Sequence, residues 1–163
     1  MKKFLIAVGG FAFWGAAALA QAQAPSRPAG AIPAAEPQAG FVKSVRGNVQ
    51  LLSTAGTLRA ANAGDALAAV DRIVTGPDSS ASVVLRDDTT LVVGPSSRLD
   101  LKEFHFDGTT YEGGMLVSLL RGTLRMVTGL IGKNHPDAVR VETQSAVIGI
   151  RGTDFIVEAD AQP

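Results

Sequence analysis

The sequence has no cysteine, one tryptophan, few aromatic residues and no excess of either charge. Without cysteine there is no disulfide framework, no Cys-ligated zinc or iron–sulfur site, no thiol nucleophile and no lipidated cysteine. The 15 basic residues are balanced by 15 acidic residues, so the totals lack the positive excess that nucleic-acid binding needs. A chain of 163 residues is expected to form one domain, and this one must be held together by packing.

The N-terminus has the pattern of a secretory signal peptide. Two lysines precede an apolar run from Phe4 to Leu19, and Ala18-Leu19-Ala20 matches an A-x-A cleavage site. The alternative, an uncleaved membrane anchor, is disfavoured because the run is shorter than the roughly 20 residues that span a bilayer. We predict cleavage after Ala20 and a periplasmic or secreted protein. Loss of Lys2 and Lys3 would leave 13 basic against 15 acidic residues.

Residues 21–40 form a Pro/Ala-rich segment that holds four of the eight prolines. Such a segment cannot form a helix and buries too little apolar area to order itself. It is predicted to be a flexible linker, which is either a spacer for the domain or a segment without a function left after cleavage of the signal peptide.

Residues 41–160 are predicted to form an all-β domain. Runs of valine, isoleucine, leucine and threonine alternate with turn residues, as in successive strands. Residues 82–86 and 89–93 are predicted to form a hairpin with a turn at Asp87-Asp88, where Asp88 has a positive φ if the turn is type I′. Strands at this spacing favour a sandwich or a short solenoid. The other predicted strands are 42–45, 49–52, 72–75, 98–101, 103–106, 123–127, 139–143, 146–150 and 155–158, with a register adjustment between Leu101 and Phe104.

The segment 116–131 fits two patterns. Its large apolar residues recur at spacings of three and four, as in a helix. However, Gly122 and Gly129 disfavour a helix, and Leu120, Leu124 and Met126 alternate with polar residues. We predict a strand.

Several motifs in this order resemble those of the FecR domain family, over nearly all of residues 41–158. The final motif, Ile148-Gly149-Ile150-Arg151-Gly152-Thr153-Asp154-Phe155, is the most specific. The earlier ones are Leu120-Arg121-Gly122-Thr123-Leu124 and the segments 64–67, 71–76, 79 and 94–97. The residues that carry the resemblance, expected to be structural, are Gly64, Asp65, Asp71, Thr75, Gly76, Gly94, Gly122, Gly149, Arg151, Gly152, Thr153 and Asp154.

The resemblance implies an all-β periplasmic module of two twisted sheets, packed as a sandwich with β-solenoid-like character, and without catalytic activity. In regulators of ferric-citrate transport this module joins an anti-sigma segment, a transmembrane helix and a receptor-contacting part. Neither end of this sequence matches those parts. We therefore expect an isolated module in envelope sensing or signalling, and a link to a sigma factor is not expected.

Catalytic and metal sites have little support in the sequence. His105 and Asp107 lie at i and i+2 on a predicted strand, where two ligands could share a metal, but a site needs three or four donors. His135 precedes a proline in a polar loop, and Asp87 and Asp88 fit a turn better than a catalytic pair. No nucleophile-elbow, phosphate-loop or zinc-protease motif occurs. We predict no enzyme activity, no metal and no cofactor.

Binding is the predicted activity, with an envelope protein or a glycan as partner and no nucleic acid. Arg121 and Arg125 are four residues apart and share a face in an unbroken strand. Together with Arg151 they form a candidate binding face for an anionic glycan or a protein. A structural alternative for Arg151 is a pairing with Asp154 or another carboxylate, beside glycines 149 and 152 that need positive φ or close approach.

Overall fold

The computed structural model describes residues 37–151 and 154–160. The predicted signal peptide and residues 21–36 of the predicted linker lie outside this part. The first strand begins at Gln38, within the last residues of the predicted linker, and Ala39 is fully buried. The strands are β1 (Gln38–Arg46), β2 (Val49–Leu52), β3 (Leu58–Ala60), β4 (Ala66–Ala68), β5 (Arg72–Thr75), β6 (Ser80–Leu85), β7 (Thr90–Val93), β8 (Arg98–Phe106), β9 (Gly113–Val127), β10 (Val139–Glu142), β11 (Val147–Gly149) and β12 (Asp154–Ala159).

The prediction of an all-β domain is confirmed. The helices in the described residues are α1 (Leu130–Asn134) and a 3₁₀ turn at Pro136–Ala138, and no helix there is long and apolar enough to cross a membrane. Two separate sheets and solenoid character are not confirmed. Hydrogen bonds join the twelve strands into one curled sheet, in which the path β3-β2-β5-β8-β9-β7-β6-β1-β4 carries β10, β11 and β12 as a branch.

Strand β9 connects the two halves of this sheet. Its first part, Gly113–Arg121, lies between β8 and the parallel strand β10. Its second part, Gly122–Val127, lies between β7 and the antiparallel strand β12. Because one strand serves both halves, the sheet stays continuous where it curls.

The curl follows a line of three breaks between strands and one glycine bend within β9, which we call the crease. It consists of Gly47-Asn48, residues 76–79, residues 94–97 and Gly122-Thr123. At two of these places the chain reads Gly-Pro-x-Ser, and each serine reaches across to the neighbouring interruption. The Ser79 hydroxyl accepts from the Asn48 amide at 2.9 Å, and the Ser97 hydroxyl accepts from the Thr123 amide at 3.0 Å.

The inner face of the curled sheet forms the core. Val83, Leu91 and Met126 lie opposite one another in one half and are fully buried. The other half contains a second row of opposed and buried side chains, formed by Leu51, Ile73, Leu99 and Leu119. These rows of aliphatic side chains leave one face of each strand for polar residues.

The strand prediction for 116–131 is confirmed over residues 116–127 and is wrong for Leu130 and Ile131, which lie in α1. Buried side chains alternate at Met115, Val117 and Leu119, and the alternation resumes one position out of phase at Leu124 and Met126. Gly122, with φ of +88°, lies at this change of phase. Two stretches of strand, in which every second side chain is buried, are joined out of phase. This change of phase explains why apolar residues recur at spacings of three and four, as in a helix.

The β6–β7 hairpin is confirmed, but its turn is longer than two residues. The Asp88 amide donates to Leu85 O, the Leu85 amide donates to Thr89 O, and φ is positive at Asp88 but not at Asp87. This is the pattern of a three-residue loop with a left-handed last residue, rather than type I′. The register adjustment in β8 is also confirmed, between Leu101 and Glu103.

Candidate functional site

A groove runs over the outer surface of β8, β9 and β10, at the end of the sheet away from the crease. It consists of two adjoining clefts of about 540 and 590 Å³ that share His105, Gly113, Asp137 and Ala138. Strand register sets its width, because Glu103 lies opposite Leu116 and Leu116 lies opposite Arg140. The groove is therefore built on three hydrogen-bonded strands, with the turn at 136–138 along one side.

Two glycines form the floor of the groove. The His105 ring lies over Gly114, where a Cβ would stand 2.5 Å from His105 Cε1 and 3.1 Å from Nε2. A Cβ on Gly113 would overlap His105 O and meet Ile131 Cδ1 at 2.9 Å. Because neighbouring strand residues face opposite sides of the sheet, the missing side chain of Gly114 leaves room for the His105 ring on the outer face, whereas Gly113 packs against Ile131 of α1 on the inner face.

The groove has an acidic lining. Four carboxylates line it, on Glu103, Glu112, Asp137 and Glu142, against the single guanidinium of Arg140. Arg140 has no ion-pair partner in the described part of the chain, and Asp137 lies 3.7 Å from the exposed Arg151. Positively charged groups are attracted to such a lining over a distance of about 8 Å at physiological salt.

Both histidines of the chain line the groove, but they do not form a metal site. His105 Nδ1 lies 3.4 Å from Glu103 Oε1, and the Asp107 carboxylate accepts instead from the amides of Thr109 and Thr110. These two donors lower the pKa of Asp107. Among residues 37–151 and 154–160, no three His, Asp or Glu side chains are grouped as metal ligands. The structure therefore does not bring His105 and Asp107 together.

Four of the motif residues meet at the crease. The Thr75 hydroxyl donates to Gly94 O at 2.6 Å and accepts from the Ser97 amide at 2.9 Å. The Gly76 amide donates to Asn48 O, and the Gly94 amide donates to Thr123 O. A Cβ on Gly122 would overlap Ser97 Oγ. Thr75, Gly76, Gly94 and Gly122 are thus in contact with the strand interruptions that curl the sheet.

The earlier motif residues hold turns. The Asp65 carboxylate accepts from the Asn62 amide and from Arg59 Nη1, both at 2.9 Å, while Gly64 has φ of +93°. The Asp71 carboxylate is buried and accepts from the Ala68 amide at 2.9 Å. In the same half-sheet Arg72 makes a bidentate ion pair with Asp100 across two strands, which raises the pKa of Arg72.

The three arginines of the predicted binding face have different surroundings. Arg125 makes a bidentate pair with Asp154 at 3.0 and 2.6 Å, which lowers the pKa of Asp154. Arg121 lies beside Gly122, where the alternation changes phase, and within the continuous strand β9 both Arg121 and Arg125 are exposed. Arg151 is near Asp137 rather than Asp154.

Of the two glycines expected beside Arg151, only Gly149 can be described. Its φ is not positive, and a Cβ there would meet no atom within 4 Å. Close approach and a left-handed conformation are therefore not the reason for glycine at this position. Gly152 and Thr153 lie outside the described residues.

Comparison with known proteins identifies the family. The model of the family described as FecR protein matches residues 71–163, which is more than half of the chain. The chain belongs to the FecR family. In this FecR-family protein the match begins at the residue before β5 and includes the whole groove, whereas β1 to β4 precede it.

A solved structure entitled "Cell surface anchoring domain" is 27% identical, covers 39% of this chain and 83% of its own, and superposes with a TM-score of 0.38. No curated protein matches the chain significantly.

Sequence reasoning missed the groove as a site. The sequence pattern indicates His105 only as a candidate metal ligand and predicts no role for Gly113 or Gly114. The one local signal was the Gly-Gly pair inside a β-rich segment, since glycine in a strand often marks a place that another molecule approaches.

Proposed function

We propose that this protein is an exported, non-catalytic binding module of the cell envelope that takes part in sensing or signalling by binding a protein partner in the groove. The proposal rests on the acidic groove, whose width is set by three hydrogen-bonded strands. FecR-family membership and the signal-peptide pattern at the N-terminus support an envelope location.

The partner is a basic, extended polypeptide segment. Four carboxylates line the groove against one arginine, so lysine and arginine side chains of a partner would find opposite charges there. Leu116 and the exposed Val147 add apolar contact area along the same surface. Envelope polysaccharide is the second candidate that the sequence raised, but an anionic glycan would meet repulsion in this groove.

The proposal is tested by peptide binding to purified protein. The probe is a ten-residue peptide that alternates lysine with valine, measured by fluorescence anisotropy. We expect it to bind the wild type, and the double variant Glu103→Gln with Glu142→Gln to bind at least tenfold more weakly. Each lost charge pair at a partly desolvated interface is worth about 1 kcal/mol or more.

The control is Asp78→Asn, which removes one charge from an exposed crease residue. It should leave the affinity unchanged. Equal weakening by Asp78→Asn would show that net charge, rather than the groove, attracts the peptide. In the envelope, a photo-crosslinking residue at position 116 should capture a protein that the double variant does not. Capture of glycan alone would show that the partner in the groove is a polysaccharide and not a protein.

A further inference from the structure

A second surface, at the opposite end of the same strands, has the opposite charge. Four outward-facing residues form one row across β2, β5, β8 and β9. Gln50 lies opposite Val74, Val74 lies opposite Arg98, and Arg98 lies opposite Arg121. The row lies beside the crease, and a cleft of about 300 Å³ with Arg121, Gln50 and Asn48 in its lining opens there.

The two arginines are cross-strand partners on β8 and β9, next to a register shift between Arg98 and Leu99, and neither has a counter-charge among the described residues. Directly opposed residues on antiparallel strands have Cβ atoms about 5 Å apart, and like charges in this position destabilise the pair. Neither Arg98 nor Arg121 has an ion pair or a side-chain hydrogen bond within the described part of the chain. By contrast, Arg59, Arg72 and Arg125 each bind a carboxylate.

The neighbouring polar side chains are also unengaged. The amide side chains of Asn48 and Gln50 and the hydroxyl of Ser96 line the cleft and make no side-chain hydrogen bond to any described residue. The backbone beneath them is held, because the Gly76 amide donates to Asn48 O and the Ser96 amide donates to Gly76 O. The cleft beside the crease thus presents the guanidinium of Arg121, two amides and one hydroxyl on a fixed backbone, and Arg98 is the cross-strand neighbour of Arg121.

We propose that this surface is a binding site for a phosphate group carried on a sugar. One guanidinium suffices for both oxygens of a carboxylate, whereas a phosphate has further oxygens and more negative charge for a second guanidinium. The amides and the hydroxyl are suited to sugar hydroxyl groups. A cleft of about 300 Å³ is at the small end of ligand sites and accommodates a single sugar ring.

The site is independent of the acidic groove. It lies beside the crease, at the other end of β8 and of the first part of β9, and its lining shares no residue with the groove. Failure of either proposal therefore leaves the other intact.

The test is calorimetric titration of the purified protein with a hexose 6-phosphate, with the unphosphorylated hexose and with a hexuronic acid. We expect only the phosphorylated sugar to bind measurably. Arg98→Gln and Arg121→Gln should each weaken its affinity at least tenfold, and Arg121→Lys should weaken it less than Arg121→Gln, since lysine keeps the charge but loses the planar fork. Inorganic phosphate should bind more weakly than the sugar phosphate, because it lacks the hydroxyl contacts.

The matched control is Arg86→Gln, an exposed arginine of the β6–β7 hairpin with no ion pair to a described residue. Its affinity should equal that of the wild type. Equal weakening in Arg86→Gln, equal binding of the hexuronic acid, or no binding of the hexose phosphate would each overturn the proposal. Thermal unfolding provides a second readout, because Arg121→Gln relieves a like-charge contact and should not lower the melting temperature.

Discussion

Strand β9 has a glycine in the crease and a glycine in the groove, and their surroundings differ. Gly122 in the crease has φ of +88° and lies against the backbone and side chain of Ser97. Gly114 in the groove lies against the ring of His105, whose side chain is 63% exposed and able to move. The crease therefore uses glycine for close packing, and the groove uses it for an open surface.

The buried polar groups of the crease and the exposed polar groups of the groove also differ in how they are satisfied. At the crease, Thr75 and Ser97 exchange hydrogen bonds with neighbouring backbone groups, and no described buried side-chain nitrogen or oxygen lacks a partner. In the groove, Arg140 and Glu142 point to solvent without an ion pair to a described residue. Satisfied polar groups maintain the curl of the sheet, and unsatisfied ones are available to a partner.

The largest expected effect is at the crease. Gly122→Ala should destabilise the protein by about 3 kcal/mol, because a left-handed conformation costs alanine about 1–2 kcal/mol and the overlap with Ser97 adds a similar amount. Chemical denaturation measures this change. The matched control is Gly64→Ala, where φ is +93° but no atom lies within 4 Å of the Cβ position. It should lose only about 1 kcal/mol. Equal losses of stability in the two variants would show that close packing against Ser97 does not contribute to the cost at Gly122.

A second test concerns the end of β9. The buried Asp87 carboxylate accepts from the Thr89 amide at 3.1 Å and the Thr89 hydroxyl at 2.7 Å, and the Ile131 amide of α1 approaches it at 3.4 Å. Asp87→Asn places an NH₂ group among these donors and should cost about 2 kcal/mol. Thermal unfolding of the variant gives the loss. Asp88→Asn, on the exposed neighbouring residue, should cost almost nothing, and an equal effect would contradict the role assigned to Asp87.

At the groove the expected effect on stability is smaller. Gly114→Ala should change the free energy of unfolding by less than about 0.5 kcal/mol, because the gain of alanine over glycine in a strand offsets the displacement of the His105 ring. The same variant should bind the basic peptide more weakly, since the floor is raised. Gly113→Ala is the comparison, because its Cβ overlaps the backbone oxygen of His105. A marked loss of stability in Gly114→Ala would show that the groove is as closely packed as the crease.

The smallest effect concerns the exposed Arg125–Asp154 pair. Arg125 lowers the pKa of Asp154, so the contribution to stability is present above the ordinary aspartate pKa and is lost as the pH falls through the lowered pKa. In Arg125→Gln, the pKa of Asp154 measured by NMR should return towards its ordinary value. The pKa of Asp107, which is lowered by the Thr109 and Thr110 amides, should stay the same. A change at both carboxylates would indicate a general change in structure.

Much of the fold could be predicted from sequence, because alternation and turn residues are local signals. The strands Val49–Leu52 and Arg72–Thr75 have the predicted bounds. Strands β3 and β4 were missed because they have only three residues each and are rich in alanine, which has little preference for strands. Their pairing to β2 and β1 depends on non-local hydrogen bonds.

The sites were less predictable, because they depend on which residues become neighbours. Arg98 and Arg121 are 23 residues apart, and only the β8–β9 register places them opposite each other. Glu103 and Arg140 flank Leu116 for the same reason. The crease had a sequence signal in the repeated Gly-Pro-x-Ser, but the partners of its two serines follow from strand order rather than from the repeat.

The sharing of β9 also has a consequence for folding during synthesis. One edge of β9 pairs with β7 and β8, which the ribosome makes before it. The other edge pairs with β10 and β12, and β12 begins 27 residues after the end of β9. Until those residues emerge, one edge of the longest strand has unpaired amides and carbonyls, which can pair with another chain. Strand β12, the last strand of the described residues, therefore completes their fold and also closes an edge of β9 that could otherwise pair with another chain.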